Sequence, residues 1–92
     1  MVKIEVEVDT LEQLEIALKE DVDAVLLDNM SLEMLAQAVH MTNKRVLTEA
    51  SGGITPQTAP AIAASGVDLI SIGWLTHSAP SLNLSLEFSA KL

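Results

Sequence analysis

Cysteine is absent from all 92 residues, which excludes a disulfide framework and any thiolate metal centre. Aromatic residues are nearly absent too. Trp74 and Phe88 alone offer no stacking platform for nucleobases. Basic residues are few, five Lys and Arg against thirteen Asp and Glu, for a net charge of −8. Nucleic acid and anionic membrane surfaces are recognised by clustered cations, so neither is a partner. No apolar run approaches the roughly 20 residues of a membrane span, and the first residues lack the pattern of a signal peptide. A cytoplasmic location is the expectation.

What is present is apolar side chain. Hydrophobic residues make up 49% of the chain, a large share for one small domain that buries little of its own surface. That surplus forms a tight core or meets other protein.

Four apolar runs alternate with three helical patterns. In the first run, 3–8, Ile4, Val6 and Val8 alternate with Lys3, Glu5 and Glu7, the period of a strand with one apolar face. Asp9 with Glu12 reads as the capping box of a helix whose inner face carries Leu11, Leu14, Ala17 and Leu18. The run 23–27 is apolar after its first residue, as in a strand covered on both faces, and ends in Asp28-Asn29. Ser31 caps a second helix, with Leu32, Leu35, Ala36 and Val39 facing inward. A third strand over 45–48 leads to Glu49-Ala50-Ser51-Gly52-Gly53, Thr55-Pro56 opens a third helix, and Gly66 stops it. The fourth strand, 68–72, ends at Gly73. Strand starts near 3, 23, 45 and 68 recur every 20 to 23 residues, the length of a compact βα unit. A faint echo relates residues 21–27 to 66–72. The expected fold is α/β, a parallel βαβαβαβ half of a TIM-like (β/α) barrel over 1–80. Residues 81–92, where Leu82, Leu84, Leu86 and Phe88 alternate with polar residues, form an amphipathic tail strand leaving it.

Parallel α/β folds gather ligands beyond the carboxyl ends of their strands, and here those ends carry the unusual residues. Glu7 closes the first, Asp28 and Asn29 the second, Ser51-Gly52-Gly53 the third, and Gly73 with Thr76 and His77 the fourth. Consecutive glycines let a backbone approach an anion closely, and a following helix start adds unpaired N–H donors. Ser51, Gly52, Gly53 and Gly73 are therefore phosphate-binding candidates, with His77 as a nearby donor. A simple chain reversal is the competing reading. Glu7 and Asp28 are acceptors suited to sugar hydroxyls or to a hard cation such as Mg²⁺. Against this, Glu7 also fits an exposed strand face and Asp28 a turn cap. His40 is explained by its helix end, Trp74 by packing, and the acidic run Glu12, Glu15, Glu20, Asp21 by a solvated helix face.

Ile4-Glu5-Val6-Glu7-Val8, Leu26-Leu27-Asp28-Asn29-Met30, Glu49-Ala50-Ser51-Gly52-Gly53-Ile54, Gly66-Val67-Asp68 and Gly73-x-Leu75-Thr76-His77-Ser78-Ala79-Pro80 resemble, in that order, the quinolinate phosphoribosyltransferases. The tail from Leu82 to Glu87 is similar to that family's end. These enzymes join quinolinate to phosphoribosyl pyrophosphate with Mg²⁺ assistance, giving nicotinate mononucleotide, pyrophosphate and CO₂ in NAD biosynthesis. The resemblance implies that Glu7 and Asp28 bind the ribose hydroxyls and metal-bound phosphoribosyl pyrophosphate, with indirect contact to Mg²⁺. It also implies that Ser51, Gly52, Gly53 and Gly73, with His77 nearby, hold phosphate. The family's Arg, Lys and His residues for quinolinate lie on earlier strands, upstream of Met1. Trp74 departs from the small residue usual after Gly73.

The chain is thus expected to be a fragment, the carboxyl-terminal part of such an enzyme, inactive alone and completed by the missing amino-terminal half or by self-association. The alternative is a stand-alone or engineered half-barrel or flavodoxin-like module with a purely structural role.

Overall fold

The computed structural model describes residues 4–81. Four parallel strands, β1 (Glu5–Val8), β2 (Ala24–Asp28), β3 (Leu47–Ser51) and β4 (Leu69–Ile72), alternate with helices α1 (Leu11–Leu18), α2 (Leu32–Thr42) and α3 (Ala59–Ala64). A fifth strand, β5 (Leu75–Ser78), and a single 3₁₀ turn (Ala79–Ser81) follow. The strand order is β1-β2-β3-β4-β5. Each strand lies beside its sequence neighbour, as in an arc of βα units. A flavodoxin-like sheet would instead reverse its strand order at a switch point.

Strand parity sets the two faces. Val8, Val25, Leu27, Ala50 and Ile70 are buried in one cluster with Leu14, Ala17, Leu35, Ala38, Ala59 and Ile62 of the helices. Alternate residues of a strand point to opposite faces. Glu5, Glu7, Leu26, Asp28, Leu47, Glu49, Ser51 and Ser71 therefore share the other face, where each remains exposed or half-buried. All three helices supply side chains to the one core, and no described element packs on the second face, which is bare among the described residues.

Local signals account for most boundaries, with corrections. Helix α1 is capped by Thr10, whose side chain accepts from the Gln13 N–H at 3.1 Å, while Gln13 Oε1 accepts from the Asp9 N–H at 2.8 Å. The capping pair is thus Thr10 with Gln13, one residue beyond Asp9 with Glu12. A threonine hydroxyl does the same chemistry from the adjacent position. Ser31 caps α2 as expected, accepting from Met34 N–H. Its inner stripe is Leu35, Ala38, Val39 and Thr42, whereas Leu32 and Ala36 are exposed. The stripe is turned about the helix axis from the one expected. Asn43, at φ 48°, ends α2 in the left-handed conformation, and Arg45 caps its last carbonyls, Nε donating to Thr42 and Nη2 to Met41.

Three larger differences bear on the site. Strand β3 starts two residues and ends three residues later than expected, so Glu49, Ala50 and Ser51 belong to the sheet. Thr55 and Pro56 open a turn, closed by Thr58 N–H and Ala59 N–H on the Thr55 carbonyl, and α3 begins only at Ala59. Finally, Gly73 does not lead into a loop. It adopts φ 60° and reverses the chain into β5, which pairs antiparallel with β4 through Leu69↔Ser78, Ile70↔His77, Ser71↔Thr76 and Ile72↔Leu75. A two-residue turn with glycine at its first position suits the twist of a hairpin. Trp74 sits at the tip of that hairpin, 100% exposed, so it packs against nothing described. The expected tail strand lies outside the described residues.

The echo between 21–27 and 66–72 has a structural counterpart. Asp23 Oδ2 accepts from the Ile4 N–H at 2.7 Å, and Asp68 Oδ2 accepts from the Thr48 N–H at 2.9 Å. Each aspartate, just before its own strand, clamps the start of the preceding one.

Candidate functional site

Because β1 to β4 are parallel, their carboxyl ends share one rim. Asp28 and Ser51 are paired at the ends of adjacent strands, and Glu7 lies one strand away beside Leu26, on the same bare face. Glu7, Asp28 and the Ser51–Gly53 turn are therefore brought to a common end of the sheet, as expected.

The β2 and β3 ends are stitched together. Asn29 N–H donates to the Ser51 carbonyl at 2.9 Å, and Ser51 Oγ donates to Asp28 Oδ1 at 3.2 Å. Gly52, at φ +96°, passes so close that a Cβ there would lie 2.8 Å from Asn29 N and 3.0 Å from Asp28 Oδ1. Glycine is required at that crossing for conformation and for space.

Gly53 differs. At φ +65° it has nothing within 4 Å of where a Cβ would stand. Among the described residues, no acceptor takes the N–H groups of Gly52, Gly53 or Ile54. Three successive amide donors in a turn form a concavity suited to an anion. The expected help from a helix start is missing, because α3 begins six residues after Gly53. Any anion held here is held by the turn itself. A groove of about 450 Å³ opens alongside, lined by Met30 and Ser31 on one side and Ile54, Gln57 and Thr58 on the other.

Two candidates lie elsewhere. Gly73 is at the same rim, at the end of β4, but forms the hairpin turn. His77 is half-buried and paired with Ile70. Residues directly opposite in an antiparallel pair share a face, so His77 points to the helix side, two residues back from the rim. The structure does not bring it to the Ser51–Gly53 turn.

One residue of the face escaped the sequence reading. Glu49, half-buried, occupies the middle of the bare face between Leu26 of β2 and Leu69 of β4. Ser71 Oγ donates to its Oε2 at 2.6 Å and lies 3.4 Å from Thr76 Oγ1. Extending the alternation of β3 past Thr48 would have found it, since Thr48 and Ala50 are the buried partners of that alternation.

The cations among the described residues stand apart. Lys19 ends α1, while Lys44 and Arg45 lie between α2 and β3, at the amino-terminal end of the strands. A wider depression of about 660 Å³ opens there beside Lys44, Gly66 and Asp68, but its carboxylate is committed to Thr48. No three potential metal ligands cluster among the described residues, and no helix there is long and apolar enough to cross a membrane.

Comparison with known proteins agrees with this geometry. The profile of the quinolinate phosphoribosyl transferase C-terminal domain matches residues 1–87. A probable carboxylating nicotinate-nucleotide pyrophosphorylase of Bacillus subtilis is 42% identical over 87 residues, covering 95% of this chain and 30% of the relative. The corresponding Archaeoglobus fulgidus protein is 42% identical, covering 92% and 35%. The crystal structure of the Ehrlichia chaffeensis nicotinate-nucleotide pyrophosphorylase superposes with a TM-score of 0.73 at 40% identity, over 76% of this chain and 26% of that one. The chain thus spans about a third of the length of the curated relatives it matches. By profile, identity and superposition together, it belongs to the quinolinate phosphoribosyl transferase family, to the C-terminal domain.

Proposed function

We propose that this chain supplies the phosphoribosyl-binding rim of an enzyme that joins quinolinate to phosphoribosyl pyrophosphate, releasing pyrophosphate and CO₂ and forming nicotinate mononucleotide. The observation that carries the reading is the turn after β3. The N–H groups of Gly52, Gly53 and Ile54 have no acceptor among the described residues, and the turn is stitched to a strand-end carboxylate, Asp28. The turn takes a phosphate through its amides. Asp28 and Glu7 accept from the ribose hydroxyls. Fixed carboxylates near a sugar centre that gains positive charge as pyrophosphate departs favour that state by charge and by positioning.

Mg²⁺ fits this rim as a passenger. With no cluster of three ligands among the described residues, those residues form no cage for it. Mg²⁺ is usually held by substrate phosphates with one or two carboxylates and retained waters, and Glu7 and Asp28 suit that indirect contact. Gly73 belongs to the proposed rim by position. His77 receives no support from its place in β5.

Quinolinate carries two carboxylates, and the described cations face the other end of the sheet. Its recognition therefore falls to residues of other chain segments, and this chain alone turns over no quinolinate. Among the described residues nothing pairs with the outer edge of β1 or lies over the second sheet face, and these are surfaces for further domains of the enzyme or a second copy to cover, since an uncovered edge strand invites pairing.

Calorimetric titration of the chain with phosphoribosyl pyrophosphate and Mg²⁺ tests the site. Binding that falls about tenfold in Asp28→Ala, as expected for losing a charged hydrogen-bond acceptor, supports the assignment. Absence of binding at millimolar ligand overturns it.

A further inference from the structure

We propose that Glu49 is a third sugar-facing carboxylate of the rim, held in place by Ser71. The inference rests on the reading of the site given above and adds a floor to it.

A carboxylate in the middle of a sheet, flanked by Leu26 and Leu69, is a poor choice for packing, because partial burial of a charge is unfavourable unless it is satisfied. An ionised carboxylate has about four acceptor positions. Among the described residues Glu49 uses one, at Oε2, for the Ser71 hydroxyl. No described cation is near enough to neutralise it. The remaining acceptor sites face the bare side of the sheet, the side on which Glu7 and Asp28 also stand. What such a group can recognise is a neutral ligand portion rich in O–H donors.

The spacing suits a sugar. Strands lie about 4.8 Å apart and rise about 3.3 Å per residue. Glu49 is two strands from Glu7 in the same row, so their Cα atoms stand about 10 Å apart. Asp28 is one strand over and two residues nearer the rim, about 8 Å away. Three acidic side chains reaching inward from that triangle enclose a pentose, with the Gly52–Ile54 amides at the rim for its phosphate. Ser71 is the positioning residue. Its 2.6 Å hydrogen bond comes from β4 and fixes the Glu49 rotamer, and the Thr76 hydroxyl of β5 stands 3.4 Å behind it. The hairpin that makes β5 thereby backs the floor.

The test separates sugar from phosphate by titrating the full chain with ribose 5-phosphate and with inorganic phosphate. Glu49→Gln keeps shape and removes charge. It is expected to weaken ribose 5-phosphate about tenfold while phosphate binding stays within about twofold of wild type. Ser71→Ala, which frees the carboxylate without removing it, is expected to weaken ribose 5-phosphate about threefold with the same selectivity. Equal loss of both probes in Glu49→Gln would show that Glu49 only supports the turn, and undiminished ribose 5-phosphate binding would likewise overturn the assignment. If circular dichroism shows Glu49→Gln unfolded, Ser71→Ala decides alone, and wild-type affinity in it refutes the proposal. A wild-type chain that binds neither probe removes the site reading and this inference together. Wild-type binding with unaffected variants removes only the inference.

Discussion

Replacing Gly52 by alanine isolates the crossing of the β2 and β3 ends. Two effects add. At φ +96° an L-residue is strained, which costs about 1–2 kcal/mol. The new Cβ also meets Asn29 N at 2.8 Å and Asn29 Cα at 3.1 Å. Both are backbone atoms that cannot rotate away, and forced displacement of a packed segment costs about 1–3 kcal/mol. Gly53→Ala is the internal control. It has positive φ as well, +65°, but open space where the methyl would sit, so only a strain of about 1 kcal/mol applies. The difference between the variants is therefore about 2 kcal/mol. With a denaturant slope of about 1 kcal/mol/M for a chain this small, equilibrium urea unfolding should place their midpoints about 2 M apart. Coincident midpoints would mean that the two strand ends are not locked at Gly52, and the stitched rim would have to be abandoned.

Other expectations concern single contacts. Asp68→Ala strips acceptors from the buried Thr48, whose N–H and Oγ both contact Asp68. It should lower stability by about 1–3 kcal/mol, more than Asp23→Ala, whose partner Ile4 is exposed; thermal melts of the pair check the order. Thr10→Ala should cost about 1 kcal/mol through loss of the α1 cap and Asp9→Ala clearly less, read by urea denaturation, and the reverse order would restore Asp9 as the cap. Trp74→Ala, at a fully exposed position, should change stability by less than about 0.5 kcal/mol. A larger loss by calorimetry would show that the indole packs.

Much of this was legible in the sequence, because two periods announce themselves. The alternation of Ile4, Val6 and Val8 and the unbroken run Ala24–Leu27 mark strands, and the caps Ser31 and Gly66 mark helix ends. The rim followed from parallel topology alone. Two of the larger differences share a cause, since in each a polar segment is sheet. Glu49-Ala50-Ser51 and Leu75-Thr76-His77-Ser78 are strands because of their neighbours. The first continues the ladder with Leu26 to Asp28, and the second folds back on β4. Pairing between distant residues overrides local polarity, and periodicity over three or four residues is too short to reveal it. For that reason the sequence alone places His77 in a loop at the rim and leaves Glu49 off the sheet face. Thr55-Pro56 suits a turn as well as a helix start, a distinction that depends on the mutual hydrogen bonds of Thr55 and Thr58.

The sheet is joined unevenly. Five register partners hold β2 to β3, from Ala24↔Leu47 to Asp28↔Ser51, whereas β3 meets β4 through Glu49↔Leu69 and Ala50↔Ile70 alone. The hairpin of β4 and β5 hangs on that short boundary, reinforced on one side by Thr48 with Asp68 and on the other by Glu49 with Ser71. Local opening follows the weakest boundary, so β4 and β5 should detach as a unit while β1 to β3 stay joined. Backbone amides of Ile70 and Ser71 would then exchange with deuterium sooner than those of Val25 and Leu27, and the carboxylate at the centre of the face would lose its tether whenever that door swings.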